Sequence, residues 1–330
     1  MRVLVIAEAG VNHNGDVRIA RRLVEEAKRA GADIVKFQTF DSKSLASKHA
    51  VMADYQKENL GVEESQEEML SKLMLRQEDY IELALYCREI GIRFLSAPFD
   101  IGSIQFLNKL QDIWKIPSGE ITNYPYLVEI GRTGKEVILS TGMSNLTEID
   151  NAISVLKEYG TRKITILHCT TSYPAPTDSV NLRAMVTMKD HCGVDVGYSD
   201  HTEGIEIPIA AVALGASVIE KHFTLDKTME GPDHKASLEP FELARMISTI
   251  RCIEAAMGDG VKKASYSELN NIGVVRKSII AAKDIKAGEM FSEENLTTKR
   301  PGTGISPMMW KDVLGLKAVR DFKQDELIEL

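Results

Sequence analysis

Cysteine is scarce in this chain. Cys87, Cys169, Cys192 and Cys252 are the only four in 330 residues, and no two of them form a C-x-x-C pair. That spacing argues against a zinc cluster and a disulfide framework, and it fits reduced thiols in a cytoplasmic protein. Aromatic residues make up only 6% of the chain. No apolar run approaches the ~18–20 residues that a membrane span needs. The N-terminal run "MRVLVIAEAG" meets Glu8 at once and lacks the longer apolar segment and cleavage site of a signal peptide. Basic residues are outnumbered, 40 Lys and Arg against 48 Asp and Glu, for a net charge of −8. That balance argues against general nucleic-acid binding but leaves room for a locally positive pocket and an anionic ligand. No G-x-G-x-x-G follows the first apolar run, which weakens a dinucleotide-binding open sheet.

What is present is a regular alternation. Short β-branched runs ("RVLVIAE", "DIVKFQ", "IRFLSAPF", "IWKIPSGE", "EVILSTG", "KITILHCTT", "VDVGYSDH", "SVIEKHF") are separated by amphipathic helical segments. In the first helix Ala20, Leu23, Val24 and Ala27 share a face, Asp16 is placed to cap the start, and Gly31 to stop the end. Eight such units over about 260 residues predict the α/β class, a (β/α)8 (TIM) barrel spanning residues 1–260. A polar loop is expected over residues 40–76. Residues 261–275 read as a linker. Residues 276–330, with short strands and repeated Gly turns, read as a small β-rich domain that leans on the barrel or on another subunit.

In a barrel, the carboxyl ends of the strands carry the chemistry. Side chains two apart on a strand point together. Ile6 then shares a face with Glu8, Lys36 with Gln38, Ser199 with His201, and Glu220 with His222. One polar strand end would mean little; the recurrence at the same end of many strands is the signal. His201 and His222 end successive strands, and imidazole pairs suit Mn, Fe, Co, Ni or Zn. A snorkelling surface lysine is the alternative for Lys36, although an apolar strand is a poor place for one. Lys115 has the same placement. Together with the hydroxyls and amides of "PSGE" and "STGM", the two lysines predict a site for phosphate or carboxylate. Glu8 and Glu120 are acid/base candidates, with salt bridges to the lysines as the competing reading. His13 and His234 fall in loops without an assigned role, and His49 and His191 read as surface residues.

Taken together, "AEAGVNHNGD", "KFQTF", "KIPSGEITN", "STGM", "YSDHT", "EKHFTLD", "GPDH" and "KRPGTGIS" resemble the bacterial sialic acid synthases over essentially the whole chain. The C-terminal segment resembles that family's antifreeze-like (SAF) domain. The resemblance implies condensation of phosphoenolpyruvate with an N-acylated mannosamine-type sugar, with release of phosphate. It implies His201 and His222 as ligands of a divalent metal, Mn²⁺ or Mg²⁺. By motif, Lys36, Lys115, Ser118, Ser140 and Ser199 would hold phosphoenolpyruvate, and Glu8, Gln38, Tyr173 and Asp233 would surround the sugar. Glu120 would stand beside the reacting carbons. A domain-swapped homodimer would bring Arg300 over the partner's barrel, near the sugar's acyl group. The expected reaction is N-acetylmannosamine to N-acetylneuraminate. The alternative is a legionaminate synthase using 2,4-diacetamido-2,4,6-trideoxymannose.

Two departures from the family pattern bear on the substrate. Ala97 stands in "SAPF" where relatives carry a threonine hydroxyl, which Ser96 could replace, and "HCTTSYPAP" places Thr171 and Ser172 beside the sugar positions. A carbohydrate-binding protein with an inert barrel is the reading from another class. It predicts loss of the metal and anion residues, and all are present. Barrels that condense sugar phosphates share the chemistry without explaining the C-terminal domain.

Overall fold

The computed structural model of the protein describes residues 2–47, 49–52, 56–57 and 65–330. The first helix, Val17–Ala30, begins and ends where the sequence predicts. The Asp16 side chain accepts from the Arg18 amide, and Gly31 closes the helix in the left-handed region at φ 88°. Its buried face is Ala20, Leu23, Val24 and Ala27.

Eight parallel strands follow the predicted order: β1 (Leu4–Gly10), β2 (Ile34–Thr39), β3 (Arg93–Pro98), β4 (Ile113–Ile116), β5 (Glu136–Ser140), β6 (Ile164–Cys169), β7 (Asp195–Asp200) and β8 (Val218–His222). Their hydrogen-bonded order is β3-β2-β1-β8-β7-β6-β5-β4, and β3 and β4 lie side by side to complete a nearly closed TIM barrel. The helices between strands cover the outside, and one continuous core fills the space between the two layers.

The barrel interior is layered. Ile6, Ile34, Leu95, Ile113, Ile138, Leu167 and Val218, one from each strand except β7, form an apolar plug. Two residues further on, the same faces carry Glu8, Lys36, Ala97, Lys115, Ser140, Cys169, Ser199 and Glu220. Strand alternation thus converts an apolar floor into a polar mouth within one pleat. On β7 the plug position is Gly197, because a Cβ there would lie 2.4 Å from the Val218 carbonyl and 2.6 Å from Leu167 Cδ2.

The chain divides into two compact units, residues 1–258 and 259–330. In the second, β9 (Ser278–Ala281) pairs antiparallel with β10 (Leu296–Lys299), over a core that includes Ile279, Phe291, Leu296 and Phe322. The residues 261–275 expected as a linker contain a helix, Tyr266–Val275, opened by a Ser265–Glu268 capping box. Its Gly273 carbonyl accepts from the Gly302 amide at 2.7 Å, which ties it to the small domain. The loop expected over 40–76 likewise holds a helix, Gln66–Leu73, opened by a Ser65–Glu68 capping box, and a single turn at Ser42–Leu45. Residues 48, 53–55 and 58–64 of that stretch lie outside the described residues.

The close packing at Gly197 gives a test. Gly197→Ala overpacks the plug and costs about 1–3 kcal/mol. Gly119→Ala, where nothing lies within 4 Å of the new methyl, stays within about 0.5 kcal/mol of the parent. Urea denaturation midpoints measure both.

Candidate active site

The polar layer meets around one carboxylate. Glu220, on β8, is ion-paired with Lys36 Nζ of β2 at 3.3 Å and with Lys115 Nζ of β4 at 3.4 Å. Lys36 also faces Glu8 of β1 at 3.1 Å. All four side chains are almost fully buried, at 5% exposure or less. Ser199 Oγ donates to Glu220 at 3.0 Å, Lys115 donates to Ser140 Oγ at 2.7 Å, and Gln38 Nε2 donates to Glu8 at 3.0 Å. Burial opposes the charge on Glu220, but Lys115 and Lys36 outweigh it and hold the carboxyl down at about 2. Burial dominates at Glu8 and pushes its pKa up to about 7 despite Lys36. Burial disfavours the Lys36 ammonium too, yet Glu220 and Glu8 keep its pKa above the ordinary lysine value, whereas Lys115 falls below it. The cluster therefore carries an excess of cation over firmly ionised carboxylate, which is the condition for receiving an anion in a low-dielectric site.

Above this layer stand the two imidazoles, with ring centroids 5.5 Å apart. His201 follows β7 directly, and its Nδ1 donates to the Thr170 carbonyl at 2.7 Å, which leaves Nε2 with its lone pair free. His222 ends β8; its buried Nδ1 has no hydrogen-bond partner among the described residues and lies 3.9 Å from the Asp233 carboxylate. Burial pushes His201 down to about 4 and His222 well below its ordinary value. Both are neutral at physiological pH, so they can ligate a cation without first losing a proton. An oriented neutral pair with an orphaned ring nitrogen fits a divalent metal. Tyr173 packs its ring 4.2 Å from His201 and 5.8 Å from His222. Gly10, at φ 53°, keeps the space between Gln38, Glu8 and His222 clear of a side chain.

A cavity of about 360 Å³ unites these groups with Ser118, Glu120 and Asp233. Glu120 sits in a short turn after β4, accepts from Asn123 Nδ2 at 2.6 Å, and has its pKa raised by burial. Burial also lifts Asp233 to about 6. Ser118 Oγ accepts from the Gly142 amide at 2.9 Å, which joins the loops after β4 and β5.

Comparison with known proteins names this arrangement. The model of the NeuB family matches residues 23–262, and that of the SAF domain residues 276–329. The chain belongs to the NeuB family. It is 57% identical to the N,N'-diacetyllegionaminic acid synthase of Campylobacter jejuni over 99% of both chains. It is 46% identical to the Legionella pneumophila protein of the same name, over 96% of this chain and 90% of that one. A crystal structure of the N-acetylneuraminic acid (sialic acid) synthetase of Leptospira borgpetersenii, in complex with citrate, superposes with a TM-score of 0.73. It is 34% identical and covers 82% of this chain and 90% of that one.

Of the residues expected in this NeuB-family site, Glu8, Lys36, Gln38, Lys115, Ser118, Glu120, Ser140, Tyr173, Ser199, His201, His222 and Asp233 line one cavity. Arg300 lies in the second unit, where its Nε donates to the Val275 carbonyl at 2.9 Å. Glu220, named from the sequence only as sharing a face with His222, is the hub of the ion cluster. Alternation had put it on the right face, but nothing in the chain announced that lysines from β2 and β4 would converge on it. Ser96 does not stand in for the hydroxyl missing at Ala97. Ala97 faces inward with Leu95, while Ser96 points outward to Thr39 Oγ1 at 2.7 Å and bonds Gln111. His13 and His234 are fully buried, and His234 is held by Thr224 and Asn14. A further group of potential ligands, Asp150, His191 and Cys192, sits on outer helices and contributes nothing to the cavity; His191 Nε2 there is hydrogen-bonded to Asp150 Oδ2 at 2.8 Å.

Glu220→Gln leaves Lys36 paired with Glu8 alone and Lys115 without an ion-pair partner among the described residues. The expected loss is roughly 3–5 kcal/mol of folding stability, read by urea denaturation at neutral pH. A variant as stable as the parent would contradict the hub assignment.

Proposed function

We propose that this protein condenses phosphoenolpyruvate with 2,4-diacetamido-2,4,6-trideoxymannose, forming N,N'-diacetyllegionaminate and phosphate. The ion cluster carries the phosphoenolpyruvate half. Phosphate and carboxylate need cations and directed donors, and Lys36, Lys115, Ser118, Ser140 and Ser199 supply them from one face of the cavity. The ligand's carboxylate would join Glu220 at the two ammonium groups, of which Lys36 also pairs with Glu8.

The sugar reacts as its open-chain aldehyde. His201 and His222 would hold a divalent metal, Mn²⁺ or Mg²⁺, which when bound polarises a carbonyl oxygen. Tyr173, Asp233, Glu8 and Gln38 surround the space left for the sugar and orient it against C3 of phosphoenolpyruvate. The C3–C1 bond forms, water adds to C2, and phosphate leaves with its bridging oxygen. Glu120 takes the proton of that water; its raised pKa makes it a better base than an exposed carboxylate. In a swapped homodimer Arg300 would come from the partner to meet the acyl group.

The opposite wall of the cavity supports the deoxygenated sugar over N-acetylmannosamine, the substrate first expected. Val11, Phe40, Leu45, Leu70, Leu73 and Phe99 form an apolar cluster there. A methyl at C6 is at home against it, whereas a C6 hydroxyl loses water against those apolar side chains. Relatives that share 57% and 46% identity carry the legionaminate name, in agreement with that wall.

The purified chain, incubated with Mn²⁺, phosphoenolpyruvate and each sugar in turn, should favour the trideoxy sugar by about 10- to 100-fold in kcat/KM. Phosphate release and product mass measure this, and the reverse preference would sink the choice of sugar. Glu120→Gln should leave KM for phosphoenolpyruvate within about twofold while kcat falls about 10²–10⁴-fold; near-normal turnover would remove Glu120 from its role.

A further inference from the structure

The groups invoked so far point into the barrel. The residues immediately before the two imidazoles, Asp200 and Lys221, point the other way, toward the helices. They are partners in the β7–β8 register, and neither side chain is exposed at all. Lys221 Nζ donates to Asp200 Oδ2 at 2.5 Å and also to the Thr202 carbonyl. Asp200 Oδ1 in turn accepts from the Thr202 amide at 3.1 Å and from its hydroxyl at 2.9 Å. One ammonium group therefore holds the Asp200 carboxylate on one side of His201 and the Thr202 carbonyl on the other, and it does so from the residue that precedes His222.

Packing does not require this arrangement. The other outward positions of these strands, Val196, Tyr198 and Ile219, belong to the apolar core, and an apolar pair at 200 and 221 would fill the same space. A fully desolvated ion pair is often no more stabilising than well-packed apolar residues of similar volume. What the pair adds is geometry, because charged partners hold one strand end at a fixed offset from the next. It stands at the last paired rung of β7 and β8, one residue before each imidazole.

We propose that Lys221, Asp200 and Thr202 are positioning residues that set the spacing of His201 and His222 and so the affinity of the site for a divalent cation. The proposal rests on the reading that these two imidazoles are the ligands.

The test uses the metal-free full-length protein, titrated calorimetrically with Mn²⁺ alone, with Tm recorded for each variant. Lys221→Met leaves Asp200 buried without its cation and should lower both Tm and affinity. The double variant Lys221→Met/Asp200→Asn removes the unpaired charge, so its Tm should recover, while its Mn²⁺ affinity stays about 10- to 100-fold weaker than the parent's. Recovery of affinity together with Tm would overturn the proposal and leave the pair a structural staple. If the double variant does not fold, Thr202→Val decides. It keeps the ion pair and the carbonyl but loses the hydroxyl, and should weaken Mn²⁺ by roughly three- to tenfold at an unchanged Tm; unchanged affinity overturns the proposal. His201→Ala and His222→Ala serve as reference. Parent-like Mn²⁺ binding in these would remove the ligand assignment, and the positioning role with it. Loss of binding there beside normal binding in the clamp variants would remove the positioning role alone.

Discussion

Glu220 is the carboxylate on which the mouth of this barrel depends. Two lysines buried across from one another repel, and a low dielectric magnifies that repulsion. Placing Glu220 between them, 3.3 and 3.4 Å from their nitrogens, lets both remain inside the protein. Glu8 completes the balance from the next strand, but its pKa near 7 shows that it is held less firmly ionised. The site thus keeps one committed negative charge and one adjustable one beneath two cations.

The apolar plug beneath makes this possible. Seven branched side chains close the barrel floor, so the ion cluster meets apolar groups below it and is satisfied sideways, by hydroxyls and by its own members. The same desolvation empties the two imidazoles of charge. Burial thus prepares both halves of the site by one physical effect, with opposite outcomes. Where opposite charges outweigh burial, as around Glu220, ionisation survives; where burial outweighs them, as at His201 and His222, the neutral form wins.

Much of the architecture was legible because two periodicities are hard to mistake. Strand alternation placed Glu8, Lys36, Lys115, Ser199, Glu220 and His222 on the inner face, and the 3.6-residue stripe of Ala20, Leu23, Val24 and Ala27 placed the first helix. Two helices were missed, Gln66–Leu73 and Tyr266–Val275, both in stretches read as loop or linker for their polarity. The signal was there in each case, since Ser65–Glu68 and Ser265–Glu268 are capping boxes written in the sequence as S-x-x-E. Composition hid them, because helices that bury little apolar surface carry a weak hydrophobic stripe. His13 and His234, by contrast, sit in irregular segments where no periodicity exists to forecast burial.

The sequence by itself determined which residue types stand at the strand ends, and through its ordered motifs the family. Local rules suffice for this, because the pleat sends residues two apart to the same side and a motif is a contiguous string. Tertiary structure alone decided who meets whom. β2, β4 and β8 are remote in the chain, and only closure of the barrel brings Lys36 and Lys115 onto Glu220. Pairing of β7 with β8 set Lys221 against Asp200 behind the imidazoles, and folding of the loops above the strands lined part of the cavity with apolar side chains. Ionisation follows from those encounters, since the pKa of a buried group depends on the charges that surround it and on the water that folding removes.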